Sequence, residues 1–191
     1  DALEERYPAF DGLNLSFETR EGILKHCSRS NAQRLEAIEP GGVAHRFLHG
    51  GSPSLEAQLC NLADEIAYNA HHIDDGVRSG LITLEQLEQV PLFDDYRRRA
   101  LQVHPKLGGR RLLFESIRLM LSDQVYDVIE ATRRSLHDAG VATVDDVRLS
   151  PPLVVFSAVM RQRSQALKTF LLRNLYRHPQ VMETTGRARQ V

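Results

Sequence analysis

Ser54-Leu55-Glu56-Ala57-Gln58-Leu59-Cys60-Asn61-Leu62-Ala63-Asp64-Glu65-Ile66-Ala67-Tyr68-Asn69-Ala70-His71-His72-Ile73-Asp74-Asp75-Gly76-Val77-Arg78 is the stretch whose spacing decides the fold. Leu55, Leu59, Leu62, Ile66, Ala70, Ile73 and Val77 recur at steps of three and four, the period of a helix with one apolar face. Ser54 offers an N-cap hydroxyl ahead of the first apolar residue, and Gly80 a stop. At ~100° per residue, Tyr68, His71 and Asp75 fall within ~40° of Asp64, opposite Leu55, Leu62, Ile66 and Ile73. His72 stands on the shoulder of that polar stripe. One helix thus presents two narrow faces of opposite character.

The flanking sequence carries the same signals. Ser16 caps an earlier helix through Phe17, Ile23 and Leu24 toward His26. Residues 28–53 are rich in breakers, with Pro40-Gly41-Gly42 and Gly50-Gly51-Ser52-Pro53. Thr83 with Gln86 makes a capping box opening a short helix over Leu84–Gln89, which Pro91 closes. From Arg110 to His137 the chain reads as one long helix with Leu113, Ile117, Leu121, Val125, Val128 and Leu136 as its buried stripe, ended by Gly140. Pro151-Pro152 marks a break. Ser157 starts a last strong helix with Val159, Leu167, Phe170, Leu171 and Leu175 as its apolar residues and Pro179 beyond its end. No strand alternation, hairpin dipeptide or internal repeat occurs. The fold class is all-α, expected as a single helical domain over 1–191.

Composition narrows the function. The chain has 191 residues, 42% apolar and 26% charged, too apolar for disorder and ordinary for a globular domain. A net charge of -1 excludes a polycationic nucleic-acid wrapper. The longest apolar run, Leu153–Phe156, falls far short of the ~20 residues that span a bilayer, so no membrane partner is expected. Cys27 and Cys60 fit no zinc or redox spacing and read as reduced thiols of a cytoplasmic protein. The chain opens at Asp1 rather than methionine, which predicts sequence upstream.

Charge is unevenly spread. Residues 157–191 carry Arg161, Arg163, Lys168, Arg173, Arg177, Arg187 and Arg189 against Glu183 alone, while the first 156 residues balance to -7. By helical angle, Arg161 and Lys168 form one basic edge and Arg163, Arg173 and Arg177 another. Such edges are either solvated helix faces or surfaces for polyanions and acidic partners.

The polar stripe also admits two readings. It is the wet side of an amphipathic helix, or it is part of a metal site, since Asp and His supply the oxygen and nitrogen ligands that hard and borderline divalent ions take. One helix rarely completes such a site. His45, His49 and His104 are further candidates by residue type only.

The run Ala63-Asp64-Glu65-Ile66-Ala67-Tyr68 followed by Asp74-Asp75-Gly76 closely resembles the bacterial dGTPase-like family, deoxyguanosinetriphosphate triphosphohydrolases of the HD superfamily. Leu13-Asn14-Leu15-Ser16 with Arg20-Glu21-Gly22 through His26, Pro151-Pro152-Leu153 and the 170–191 region resemble it too, so the likeness covers the whole chain. It implies a multi-helix HD-superfamily domain, incomplete at both ends. It also implies hydrolysis of a deoxynucleoside triphosphate to a deoxynucleoside and tripolyphosphate, with a divalent ion such as Mg or Mn as cofactor. The family's metal is held by a His, a His-Asp pair and a distant Asp. Asp64 matches that last Asp, and Tyr68 matches a residue packed against the substrate sugar. Two turns after the metal Asp the family has an Asp that bonds the sugar hydroxyl, where this chain has His72. A neutral imidazole can make one such bond but lacks a carboxylate's two acceptor oxygens. The one adjacent His-Asp pair, His137-Asp138, lies downstream, and none precedes Asp64, so the resemblance places the remaining ligands and the catalytic histidines upstream, and the piece alone is expected to be inactive.

The leading expectation is therefore a metal-dependent dNTP triphosphohydrolase, with homo-oligomers and single-stranded DNA as further partners. A non-catalytic nucleotide-sensing or single-stranded nucleic-acid-binding member of the same fold is the alternative. A helical oligomerisation scaffold is the third reading.

Overall fold

The computed structural model describes residues 8–10, 12–25, 27–48 and 50–188. Its elements are α1 (Phe17–Ile23), α2 (Arg29–Ile38), a 3₁₀ turn (Val43–Phe47), α3 (Leu55–Arg78), α4 (Leu84–Leu87), α5 (Pro91–Val103), α6 (Gly109–Ala139), α7 (Val144–Leu149), α8 (Ala158–Leu171), a π-helical turn (Leu172–Tyr176) and α9 (Pro179–Ala188). No strand runs among the described residues, so the chain is all-α as its periodicity requires. His26, His49 and Arg189 lie outside the described residues.

The helix ends follow local capping chemistry. The Ser16, Ser28, Ser54 and Ser157 hydroxyls each accept an N–H three residues on, from Thr19, Asn31, Ala57 and Met160. This satisfies donors that have no partner inside their own helix. Thr83 and Gln86 form the expected capping box, and Thr143 with Asp146 forms a second one opening α7. Gly80 and Gly140 end α3 and α6 at φ 74° and 62°, a left-handed geometry that costs glycine nothing. Two prolines read as lying beyond a helix end do so, and each also opens the next helix. Pro91 and Pro179 are the first residues of α5 and α9, where the missing N–H is not needed and the fixed φ suits a helix.

The contacts group the described residues into two compact units, Asp1–Asn61 with Arg134–Val154, and Leu62–Arg133 with Val155–Val191. Along the chain, α3 and α6 pass from one unit into the other.

In the first unit Ala32, Ala44 and Phe47 form a small core, covered by Leu24, Cys27, Leu35 and Leu48. Glu21 is fully buried beside it and accepts from Arg46 Nη1 at 2.7 Å and Arg148 Nε at 3.3 Å. That carboxylate ties α1 to the 3₁₀ turn and α7. Buried Gln58 accepts from the Leu153 and Val154 N–H groups at 2.8 and 3.1 Å and donates to the Pro53 carbonyl at 2.9 Å. A polar residue can sit in this position because its hydrogen bonds are made.

In the second unit α5, α6 and α8 share a core of Leu92, Phe93, Tyr96, Leu113, Met120, Leu167 and Leu171, each 4% exposed or less. Burying one such large side chain is worth about 1.5–3 kcal/mol. Gln124 Nε2 donates to Ser164 Oγ at 3.1 Å, both fully buried, which fixes the register of α6 against α8. Burial, reinforced by Asp123, pushes the Tyr96 hydroxyl up to about 12.

Three residues expected inside are exposed: Leu59 at 50%, Val125 at 47% and Val159 at 66%. In α3 the cause is a change of buried face along the helix. Ala57 and Gln58 are buried in the first unit, whereas Ile66, Ala70 and Ile73 are buried in the second. Ala57 lies seven residues before Asp64, on the same helical face, and meets Gly22 of α1. In α6 the buried stripe runs through Leu113, Ile117, Met120, Gln124 and Val128, which leaves Val125 outside.

Candidate functional site

The site is built on α3. In its last four turns Ile66, Ala70 and Ile73 turn inward, so the helical period turns Asp64, Tyr68, His71 and Asp75 outward. All four are exposed. Asp64 has no hydrogen bond or ion pair to a described residue, unlike Asp75, which pairs with Arg78. An uncommitted, hydrated carboxylate on a well-packed helix is free to take a ligand. Its neighbour Glu65 turns the other way and binds Lys168 Nζ at 3.1 Å, fastening α8 beside it.

Tyr68 and His72 touch. Their ring centroids are 3.8 Å apart, and His72 Nδ1 lies 2.6 Å from the Tyr68 carbonyl oxygen. A third ring joins them that sequence spacing did not single out. Tyr176, on the π-helical turn, lies 6.2 Å from Tyr68 in a stacked arrangement and 5.0 Å from His72 edge-on. The Tyr176 hydroxyl is shielded from solvent, with the Tyr68 hydroxyl beside it. Burial, and then the nearby Tyr68 hydroxyl, push its ionisation upward. Such π turns are uncommon and recur at functional sites; this one is closed by the Arg177 N–H on the Leu172 carbonyl at 3.1 Å.

The glycine of the Asp74-Asp75-Gly76 run has a structural duty. A Cβ at Gly76 would stand 2.7 Å from Ile82 Cδ1, and the N–H groups of Leu81 and Ile82 both bond the Gly76 carbonyl at 3.0 Å. Asp74 lines a cavity of about 360 Å³ with Val77, Leu84, Arg110 and Leu113, in which no residue of the Asp64 stripe takes part.

The other histidines do not join the stripe. His45 Nδ1 pairs with Glu36 at 2.9 Å in the first unit, and His104 is the exposed C-cap of α5. Among the described residues no three His, Cys, Asp or Glu side chains gather as a metal cage. Asp64 therefore fits a divalent ion as a single carboxylate ligand and no more.

The two basic edges are partly spent on ion pairs. Arg163 binds Asp95, and Lys168 binds Glu65. Arg161, Arg173 and Arg177 are exposed and have no carboxylate partner among the described residues.

The chain is 56% identical over all its residues to a deoxyguanosinetriphosphate triphosphohydrolase-like protein of Ralstonia nicotianae, 55% to one of Azoarcus sp. and 50% to one of Thiobacillus denitrificans. From end to end, the chain is similar to dGTPase-like proteins. The resemblance first seen in the Asp64–Gly76 motif is thereby borne out. The chain spans about half the length of these curated relatives, 48%, 49% and 50% in turn. Residues 154–191 match the phosphohydrolase-associated domain. That stretch includes α8, the π turn and Tyr176. Cys27 and Cys60 are free, and no helix of the described residues is long and apolar enough to cross a membrane.

Proposed function

We propose that the full-length protein hydrolyses a deoxynucleoside triphosphate to a deoxynucleoside and tripolyphosphate, with Asp64 as one ligand of a divalent ion and Tyr68 and His72 against the sugar. The observation that carries this reading is the exposed, uncommitted Asp64 one turn from the Tyr68–His72 pair, inside a sequence similar throughout to dGTPase-like proteins. A divalent ion of the Mg or Mn kind, when bound, supplies Lewis-acid polarisation of a phosphoryl oxygen. The chain's own contribution is positional. α3 holds Asp64 and Tyr68 in fixed relation, and the buried Ile66, Ala70 and Ile73 keep that face from turning. The remaining ligands would come from the part of the relatives' length that this chain does not span. The free cysteines support a cytoplasmic setting. Phe114, Val125 and Ile129, exposed on one face of α6, support a homo-oligomer.

Tyr68→Ala tests the sugar contact. It removes a half-exposed ring that fills no core position, so the full-length variant should fold normally while its KM for dNTPs rises about tenfold, the loss of one stacked aromatic contact of ~1.4 kcal/mol. Kinetics unchanged across all four common dNTPs would remove Tyr68 from the site.

A second, non-catalytic reading rests on Arg161, Arg173 and Arg177, which would meet single-stranded nucleic acid. Arg173→Glu with Arg177→Glu should weaken binding of a single-stranded oligonucleotide and lower the slope of log K against log salt by about 1.4, at ~0.7 per phosphate contact. Binding that lacks salt dependence, or survives both reversals, rejects that reading.

A further inference from the structure

We infer that the cavity walled by α3, α4 and α6 in the second unit binds a small zwitterion with an apolar body, an α-amino acid of the leucine or phenylalanine kind. The inference stands apart from the proposed hydrolysis, because no residue of the Asp64 stripe lines this cavity.

The first observation is a pair of opposite charges that do not meet. Asp74 on α3 and Arg110 on α6 line the same cavity of about 360 Å³. Neither makes an ion pair with a described residue, with each other or elsewhere. The neighbouring Asp75 is paired with Arg78, so the Arg78 charge on the same wall is already spent. Asp74 is half-buried, and a carboxylate drawn partly out of water without a partner carries a desolvation cost. The Arg110 guanidinium lies 5.1 Å from the centre of the Phe114 ring. That contact orients the cation and leaves its N–H donors free.

The second observation is the rest of the wall. Val77 and Leu84 are half-buried there, and Leu113 is buried. These branched side chains offer no hydrogen bond and favour an aliphatic or aromatic group that leaves water against them. Ligand pockets run from ~300 to ~1,000 Å³, so this cavity stands at the small end. That size suits a molecule like an amino acid better than a nucleoside triphosphate.

The charges then select the ligand. A simple amine would meet Asp74 but bring a second cation against Arg110. A simple carboxylate would meet Arg110 and be repelled by Asp74. An α-amino acid carries both groups on one carbon. Its ammonium donates to the Asp74 carboxylate, its carboxylate accepts from the Arg110 guanidinium, and its side chain covers Val77, Leu84 and Leu113. Both protein charges are then compensated, and rejection of the singly charged analogues supplies the specificity.

Isothermal titration calorimetry on the full-length protein tests this, with L-leucine and L-phenylalanine as probes. One or both should bind with a Kd below ~1 mM. The matching amine (isopentylamine or phenethylamine) and the matching acid (isocaproate or hydrocinnamate) should each bind about tenfold more weakly or worse, the loss of one charge-assisted hydrogen bond. Asp74→Asn and Arg110→Gln should each weaken the amino acid by a similar factor. Arg111→Gln, which removes a neighbouring charge outside the cavity wall, should not. No binding of either amino acid at ~10 mM overturns the inference, as does binding that ignores both cavity substitutions or that the singly charged analogues match. Dependence of dNTP binding, instead of amino-acid binding, on Asp74 and Arg110 would give the cavity to a nucleotide and overturn it equally. If a variant does not fold, the wild-type comparison of amino acid, amine and acid still decides. Failure to hydrolyse any dNTP would reject the proposed function and leave these titrations standing, so the two failures are distinguishable.

Discussion

Asp64→Asn in the full-length protein is expected to abolish dNTP hydrolysis and leave thermal stability unchanged. The change preserves shape and removes only the charge. Asp64 is exposed and has no partner among the described residues, so nothing in the fold depends on its carboxylate. Surface substitutions of that kind usually fall within ±0.5 kcal/mol. A metal ligand is different. Disturbing even the partners that orient metal ligands costs 10–100-fold in affinity or activity, so loss of a ligand itself should exceed about 100-fold. Chromatographic assays of deoxynucleoside and tripolyphosphate release from dGTP and a second dNTP, beside a circular-dichroism melt, separate the two effects. A variant retaining more than a tenth of wild-type turnover would show that Asp64 is the wet side of a helix and nothing else. His72→Asp is the companion measurement, because it restores the acidic residue that the resemblance implies there. It should change the ranking among dNTPs rather than remove turnover.

What could be read from the sequence was what local chemistry decides. Ser54, Thr83 with Gln86, Ser157, Gly80 and Gly140 each act within one turn of their own position, and each does in the structure what its neighbours in sequence require. The same holds for the outward face of α3, since Asp64 and Tyr68 are one turn apart. Proline is ambiguous by nature: Pro91 and Pro179 cannot continue a helix but can begin one, and only the residues beyond them decide. α2 and α7 are 10 and 6 residues long, too short for period to stand out against their polar residues. Leu59 illustrates a deeper limit. Periodicity assumes that a helix buries one face throughout, whereas α3 serves two compact units and changes its buried face between Gln58 and Ile66. Tyr176 lies more than a hundred residues beyond Tyr68, and no spacing rule reaches that far. The ion pairs Lys168–Glu65 and Arg163–Asp95 are invisible for the same reason.

The largest stability effect is expected at Glu21. Its side chain is 1% exposed, and one oxygen, Oε1, serves both Arg46 and Arg148. Arg148 also donates to Asp145 at 3.0 Å, and the Arg46 guanidinium lies 4.5 Å over the Phe17 ring. Glu21→Leu would fill the space but remove the buried charge that both guanidinium groups share, leaving Arg148, 17% exposed, with only the solvent-exposed carboxylate of Asp145. Breaking a buried pair from one side costs about 3–5 kcal/mol, because the remaining charge is stranded out of water. Arg46 retains 34% exposure and can rehydrate, which places the expected loss near the lower end, about 3 kcal/mol. Glu21→Gln keeps an acceptor oxygen and should lose less than half of that. Adding Arg148→Leu to Glu21→Leu removes one stranded cation and should recover part of the loss, a coupling that a double-mutant cycle measures directly. Denaturant unfolding of the four full-length proteins gives all the terms. If Glu21→Leu costs under about 1 kcal/mol, the carboxylate is a bystander in the first unit and the junction of α1, the 3₁₀ turn and α7 is held by packing alone.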